Sequence, residues 1–248
     1  MIDLSRTRLL AGDEAVERMR AAHFLVCGVG GVGSWAAEAL VRSGAGHLTL
    51  VDFDSVQPSN MNRQLIALQS TIGEPKVQVL AKRLRDINPQ VDLRLKELRL
   101  TPENIPAVLT EDAWDGVLDA IDERNAKLAL LTECVQRGLR VISSLGAANM
   151  TRPGELEITD ISKTSGSPLA KIIRKSLRKQ GIEKGILCVA SKELPILCVG
   201  EQENEGERRP MGSIVTVTAT AGLLCADALM APILQLNSRP RRGDYSNV

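Results

Sequence analysis

The stretch that most constrains this chain is Gly28-Val29-Gly30-Gly31-Val32-Gly33, because of what flanks it. His23 to Cys27 (HFLVC) is a compact apolar run in front of it. Behind it, Ser34 to Arg42 carries Trp35, Ala36, Ala39 and Leu40 at helical spacing. His47 to Val51 (HLTLV) then reads as a second strand, ending in Asp52-Phe53-Asp54. A lone GxGxxG says little. Following a strand, opening a helix and trailed by acids about 20 residues on, it predicts a βαβ nucleotide-binding unit. Gly28 permits the tight turn, Gly30 lets phosphate approach the backbone, and Gly33 lets helix and strand pack closely. The helix N-terminus offers free N–H groups and a partial positive charge to phosphate. Asp52, at the strand end, is placed to accept ribose hydroxyls.

The alternation continues. Lys76 to Ile87 is a helix with Val77, Leu80, Leu84 and Ile87 on one face, stopped by Pro89. Val91–Leu95, Gly116–Ala120 and Leu139–Ser143 read as strands, with helices at Glu103–Leu109 and Lys127–Arg137 between them. A short helix is expected at Glu14–Arg20. Such alternation demands a parallel sheet covered on both faces. Beyond Gly146 the pattern changes, and Glu155–Asp160 and Gly185–Val189 are expected as strands of an antiparallel extension. The predicted class is α/β: a Rossmann-like, doubly wound, mostly parallel sheet with an antiparallel C-terminal extension. Its core runs over about 21–150, its extension over about 151–236, and a flexible tail follows at 237–248. Gly200 to Gly212 is polar and is expected as a loop. Ser213 to Leu234 is long and apolar, but its serine, threonines, glycine, Asp227 and Pro232 favour a buried helix over a membrane span.

Composition excludes several classes. With 44% hydrophobic and 25% charged residues, the chain is neither a disordered tail nor a disulfide-stapled miniprotein. Aromatics are only 2% of residues, so a base-stacking platform is not expected. A net charge of +1 argues against a surface basic all over, not against a local patch. Cys27, Cys134, Cys188, Cys198 and Cys225 form no CxxC pair, which removes the usual zinc site. Their odd number and wide spacing fit inert, reduced thiols and a cytoplasmic location. Met1 to Met19 lacks the apolar region of a signal peptide.

The glycine turn alone suggests NAD. The segment Ser59 to Gln64 (SNMNRQ) and the GEPK at Gly73 to Lys76 argue for something else. Arg63 and Lys76, near strand ends, would place two fixed cations beside the phosphates. A triphosphate, which develops charge on its leaving group, needs both; a diphosphate held by a glycine turn does not. Asp122, just past the fourth strand, can hold Mg²⁺ through its carboxylate. The bland alternative makes Arg63 and Lys76 solvated surface charges and Asp122 a helix N-cap.

The string GVGGVGSWAAEALVRSGAGHLTLVDFDSVQPSNMNRQ, followed by GEPK and DAID, resembles the E1-like adenylating superfamily that includes ubiquitin-activating E1 enzymes and bacterial ThiF and MoeB. SSLGAAN (Ser143 to Asn149), ITDISKT (Ile158 to Thr164) and SPLAKIIRKSLRKQGIEKG (Ser167 to Gly185) are similar to one branch, the TcdA-type tRNA threonylcarbamoyladenosine dehydratases. The resemblance runs from about Leu4 to Leu234. It implies an ATP-dependent dehydration that cyclises N6-threonylcarbamoyladenosine at tRNA position 37 through an acyl-adenylate. It implies that Gly28, Gly30, Gly31 and Gly33 hold the nucleotide, with Asp52 and Asp54 around the ribose. Asn60, Arg63, Gln64 and Lys76 would contact phosphates, and Asp122 would bind Mg²⁺. Arg6 matches an N-terminal arginine that family members insert into the partner subunit's ATP site, which implies a homodimer and makes Arg63, Lys76 and Arg6 the catalytic set. A monovalent cation and a cysteine desulfurase or sulfur-acceptor system are compatible additions. Two departures stand out. The zinc CxxC pairs of ThiF and MoeB are missing, and Glu205 to Gly212 lacks the cysteine that some members place before the last helix.

Ser162 to Ile182 contains no acidic residue. Lys171, Arg174, Lys175, Arg178 and Lys179 fall on one helical stripe, opposite Leu169, Ile172, Ile173 and Leu177. An unpaired basic ridge on a core-anchored helix predicts contact with tRNA phosphates. Two other readings stay open at this point: an enzyme adenylating the Gly-Gly terminus of a ubiquitin-like sulfur carrier, and a non-catalytic or NAD-binding Rossmann module. The missing zinc cysteines and the basic ridge weigh against the first.

Overall fold

Two helices open the chain, α1 (Ser5–Ala11) and α2 (Asp13–Ala21), where the sequence predicts only the second. Gly12, at φ 84°, makes the corner between them. Arg8 holds it by pairing with Asp13 and, at 3.1 Å, with Glu17. The computed structural model describes residues 2–197 and 211–236. Cys198, most of the polar stretch from Gly200, and Arg239, Arg241 and Arg242 of the tail lie outside the described residues.

The alternating pattern then builds as expected: β1 (His23–Cys27), α3 (Gly33–Arg42), β2 (His47–Val51), α4 (Lys76–Ile87), β3 (Asp92–Lys96), α5 (Ile105–Leu109), β4 (Gly116–Asp119), α6 (Arg124–Gln136) and β5 (Val141–Ser144). After these come β6 (Leu156–Asp160), α7 (Pro168–Arg178), β7 (Leu187–Ser191) and α8 (Val215–Leu234). One seven-stranded sheet has the order β3-β2-β1-β4-β5-β7-β6. All pairs are parallel except β6 with β7. The antiparallel extension is therefore a single strand. β7 lies parallel to β5, with Ile142 opposite Leu187 and Ser143 opposite Cys188. A run of four apolar residues and a serine does not specify which neighbour it pairs with or in which direction.

Strand residues alternate between two cores. Phe24 and Val26 face one layer with α2, α3, α4 and α8; Leu25 and Cys27 face the other with α5, α6 and α7. α8 is apolar and long enough to cross a membrane by length and composition, yet Val217, Ala221, Cys225, Ala226 and Leu229 are buried against the sheet. Pro232 lacks an N–H, so the carbonyl of Ala228 loses its helical donor. The Arg140 guanidinium donates to that carbonyl instead, while Arg18 donates to Ile233 O from Nε at 3.3 Å and Nη2 at 3.1 Å.

The strand order reverses between β1 and β4. In open α/β sheets, ligands sit in the crevice at the carboxyl ends of the strands flanking such a reversal. Here that crevice lies at Cys27–Gly28 and Asp119–Ala120, which are joined by the Ala120 N–H to Cys27 O bond of 2.9 Å.

Candidate active site

The glycine turn sits in this crevice, and its glycines do different things. Gly28 has φ +89°, and a Cβ there would lie 2.7 Å from Ala120 O. A Cβ on Gly33 would stand 1.8 Å from Gly28 O. Both positions therefore require glycine for the turn to close. A Cβ on Gly30 would meet, among the described residues, only the Gln64 side chain, Nε2 at 3.5 Å and Cδ at 3.8 Å, both ordinary contacts. Protein packing does not demand glycine there, which fits a position left bare for a ligand. At Gly31 the neighbours are Arg63 Cγ and Thr218 Cβ, each 3.4 Å from the added atom. Asp52 fastens the turn: its Oδ2 accepts from Val29 N at 2.8 Å and its Oδ1 from Asp54 N at 2.9 Å.

The polar segment after β2 folds onto the same turn. Asn60 is buried, and its Oδ1 accepts from Gln57 N at 3.0 Å, so it shapes the segment from within. Gln64 is also buried, its Nε2 against Gly30 and its Oε1 without a partner. An orphaned polar atom beside a glycine turn is what a site for a polar ligand leaves open. Arg63 is half-buried, and its carbonyl accepts from Trp35 Nε1 at 3.2 Å. Lys76 is 5% exposed, and its Nζ donates to Asp54 Oδ2 at 2.8 Å. Lys76 is thus no solvated charge, and two residues expected to serve ribose and phosphate separately are joined. Burying the ammonium requires a partner, and Asp54, about half exposed, supplies it from the site's edge.

Asp122 is exposed just beyond β4 and does not cap the next helix. Glu123 does, its carboxylate accepting from Asn125 N at 3.0 Å and Ala126 N at 2.7 Å. These backbone donors hold the Glu123 carboxyl below its usual range. Asp122 remains available to a cation. Mg²⁺ is commonly held by one or two carboxylates together with substrate phosphates, and one exposed carboxylate fits that pattern.

Beneath this surface lies an arrangement that the sequence reading missed. Lys127 and Asp119 are both fully buried, with Nζ and Oδ2 2.6 Å apart. Ser143 Oγ donates to the same Asp119 oxygen at 2.6 Å, and Lys127 Nζ reaches Ser144 O at 3.0 Å. Asp119 Oδ1 accepts from Ile121 N at 3.2 Å. The cluster ties the carboxyl ends of β4 and β5 to α6, directly under the loop carrying Asp122. Its one trace in the sequence is a lysine beside Ala126, on the helix face that also carries Leu130, Leu131 and Cys134.

The basic ridge is on α7. Ser167 caps it, accepting from Ala170 N at 3.2 Å; Ala170, Ile173 and Leu177 anchor it in the core. Lys171, Lys175, Arg178 and Lys179 are exposed and, with Arg174, line an open groove of about 480 Å³. Arg174 differs from the rest: it is half-buried and donates to Thr164 O at 2.8 Å and to Thr164 Oγ1. Ile172, expected on the apolar side, is 39% exposed.

The chain matches the model of the ThiF family over residues 4–247. The chain belongs to that family. Among its relatives is the tRNA threonylcarbamoyladenosine dehydratase of Bacillus subtilis, 41% identical over 240 residues, covering 93% of this chain and 94% of that one. The Escherichia coli protein of the same name is 33% identical, covering 94% of each chain. A crystal structure of the E. coli dehydratase in complex with ATP superposes with a TM-score of 0.84 at 32% identity, over 96% of both chains. The E1-like resemblance, and its dehydratase branch, are thereby borne out.

Burial pushes the Cys134 and Cys188 thiols up to about 12 and raises those of Cys27 and Cys225 as well. These four are held as unreactive thiols.

Proposed function

We infer that this chain is an ATP-dependent tRNA threonylcarbamoyladenosine dehydratase, which closes the threonylcarbamoyl side chain of N6-threonylcarbamoyladenosine into its cyclic form. The observation that carries this reading is full-length similarity to enzymes of that name, one of them solved with ATP, on a chain whose glycine turn occupies the switch-point crevice.

The carboxylate of the side chain is a poor electrophile, because its leaving group would be oxide. Attack of a carboxylate oxygen on the α-phosphorus of ATP forms an acyl-adenylate and releases pyrophosphate. The carbamoyl group of the same side chain then attacks the acyl carbon, the bond to AMP breaks, and a proton leaves the attacking group. Closure is intramolecular, so positioning supplies much of the acceleration. The protein's part is to stabilise charge at the phosphates. The glycine turn and the start of α3 hold them, and Arg63 and Lys76 neutralise them, Lys76 being kept in place by Asp54. Asp52 and Asp54 serve the ribose side. Asp122 would hold Mg²⁺, which offsets phosphate charge when bound. A monovalent cation belongs to the same proposal.

Arg6 completes the site in trans, in a homodimer. Leu4 packs against Gly44, just past the end of α3 opposite to the glycine turn. Ten residues of helix span about 15 Å, which supports service to another copy rather than to its own turn. The α7 ridge takes the tRNA backbone, with Lys171, Lys175, Arg178 and Lys179 as its outward charges and Arg174 partly committed to Thr164. The buried thiols fit a reducing, cytoplasmic location, and a cysteine desulfurase or sulfur-acceptor partner stays an expectation.

Mass spectrometry of tRNA nucleosides after incubation with enzyme and ATP tests the reading: the modified adenosine should lose one water. Pyrophosphate exchange stimulated by a sulfur carrier protein and not by modified tRNA would replace it with carrier activation.

A further inference from the structure

Arg63 is held in place by its neighbours. Its Nη1 donates to Ser59 O at 2.9 Å and to Asn62 Oδ1 at 3.0 Å, which uses both hydrogens of that nitrogen. The amide of Asn62 donates in turn from Nδ2 to Ser213 O at 2.8 Å. Ser213 lies in the chain that enters α8. The residue before it, Gly212, is bound from two sides by Asn149: its carbonyl accepts from Asn149 N at 2.8 Å and its N–H donates to Asn149 Oδ1 at 2.6 Å. Asn149 adopts the left-handed conformation, φ 59°, to make both contacts. One turn into α8, Thr218 shares the space above Gly31 with Arg63 Cγ. A continuous chain of hydrogen bonds thus joins the guanidinium, the start of α8 and the loop after β5.

The chemistry of Asn62 suits this place. Its oxygen is an acceptor without charge, so it orients Arg63 and leaves the positive charge uncompensated for an anion. Its nitrogen is the donor that a carbonyl needs. Aspartate would neutralise Arg63 and repel Ser213 O. Alanine would free both groups. Asn62 itself is exposed and adds nothing to the core.

We propose that Asn62 is a positioning residue: it fixes the guanidinium of Arg63, whose Cγ lies beside the glycine turn, and registers it with the start of α8. The proposal rests on the reading that ATP lies along that turn. ATP titration by calorimetry, steady-state dehydration of modified tRNA and unfolding without nucleotide test it on the full chain. Asn62→Ala should weaken ATP binding by about tenfold or more, the scale of one hydrogen bond to a charged group. Its unfolding midpoint without ATP should stay within about 2 °C of wild type, as for exposed sites generally. Asn62→Asp should weaken ATP more than Asn62→Ala does. In an Arg63→Ala background, Asn62→Ala should cost nothing further, because it acts through the guanidinium. Unchanged ATP affinity in Asn62→Ala, or the same loss with and without Arg63, overturns the proposal. A lowered midpoint with normal affinity in the folded molecules does so too, making Asn62 a mere structural tie. Wild type that fails to bind ATP removes the nucleotide reading itself.

Discussion

The glycine-turn crevice and the α7 ridge are the two polar surfaces that the proposed function assigns to phosphate, and they are built in opposite ways. In the crevice nearly every polar group has two duties. Asp52 fastens the turn it serves, Asp54 holds Lys76, and Asn60 shapes the segment that carries Arg63. On α7 the charges are exposed, and three buried apolar residues hold the helix beneath them. Arg174 alone belongs to both styles. The difference teaches that binding and stability are coupled at the crevice positions that also hold the fold, such as Gly33 and Lys76, and separable on the ridge. A triphosphate at a reacting centre needs fixed charges; a polynucleotide backbone needs only a local density of them.

The comparison breaks most decisively below the crevice. Lys127→Ala leaves Asp119 buried without its cation and should cost about 3–5 kcal/mol in denaturant unfolding. A loss under 1 kcal/mol would show that the cluster is not part of the scaffold. Next come the glycines. Gly33→Ala should lower stability by about 2–4 kcal/mol and abolish ATP binding, since its methyl would overlap Gly28 O. Gly30→Ala should leave the unfolding midpoint near wild type and still weaken ATP. Equal thermal losses in the two variants would contradict the division of labour among the glycines.

On the ridge, Lys171→Glu with Arg178→Glu should weaken tRNA at least tenfold and flatten the slope of log K against log salt by about 2. The unfolding midpoint and ATP affinity should not move. Adding Arg174→Glu should lower the midpoint, because that guanidinium caps Thr164. The smallest effect is at Glu123. Glu123→Ala should cost about 1 kcal/mol at neutral pH, the usual value of an N-cap. Its folded carboxyl lies below the usual range, so the contribution is present above the unfolded pKa and is lost as pH falls through the folded one. Stability curves of wild type and variant should converge in acid; curves that stay parallel would discount the cap.

The sheet was legible because apolar runs alternate with helical periodicity, and the crevice because three glycines at fixed spacing follow a strand. What stayed hidden depended on contacts distant in sequence. Lys76 and Asp54 are 22 positions apart, so neither announces the other. Lys127 reads as one more surface lysine until the sheet places Asp119 and Ser143 around it. β7 found a parallel neighbour that its composition could not name. α1 depends on Arg8 bridging to α2 and escapes a search for periodicity. The ridge was visible as a stripe, but the inward turn of Arg174 was not.

The proline near the end of α8 has one more consequence. By stripping Ala228 of its donor and inviting Arg140 to replace it, the chain bolts the far end of its central rod to the strand layer. The near end is pegged through Ser213. Sliding this rod along its axis would break both fastenings at once, so the two contacts resist such a shift together.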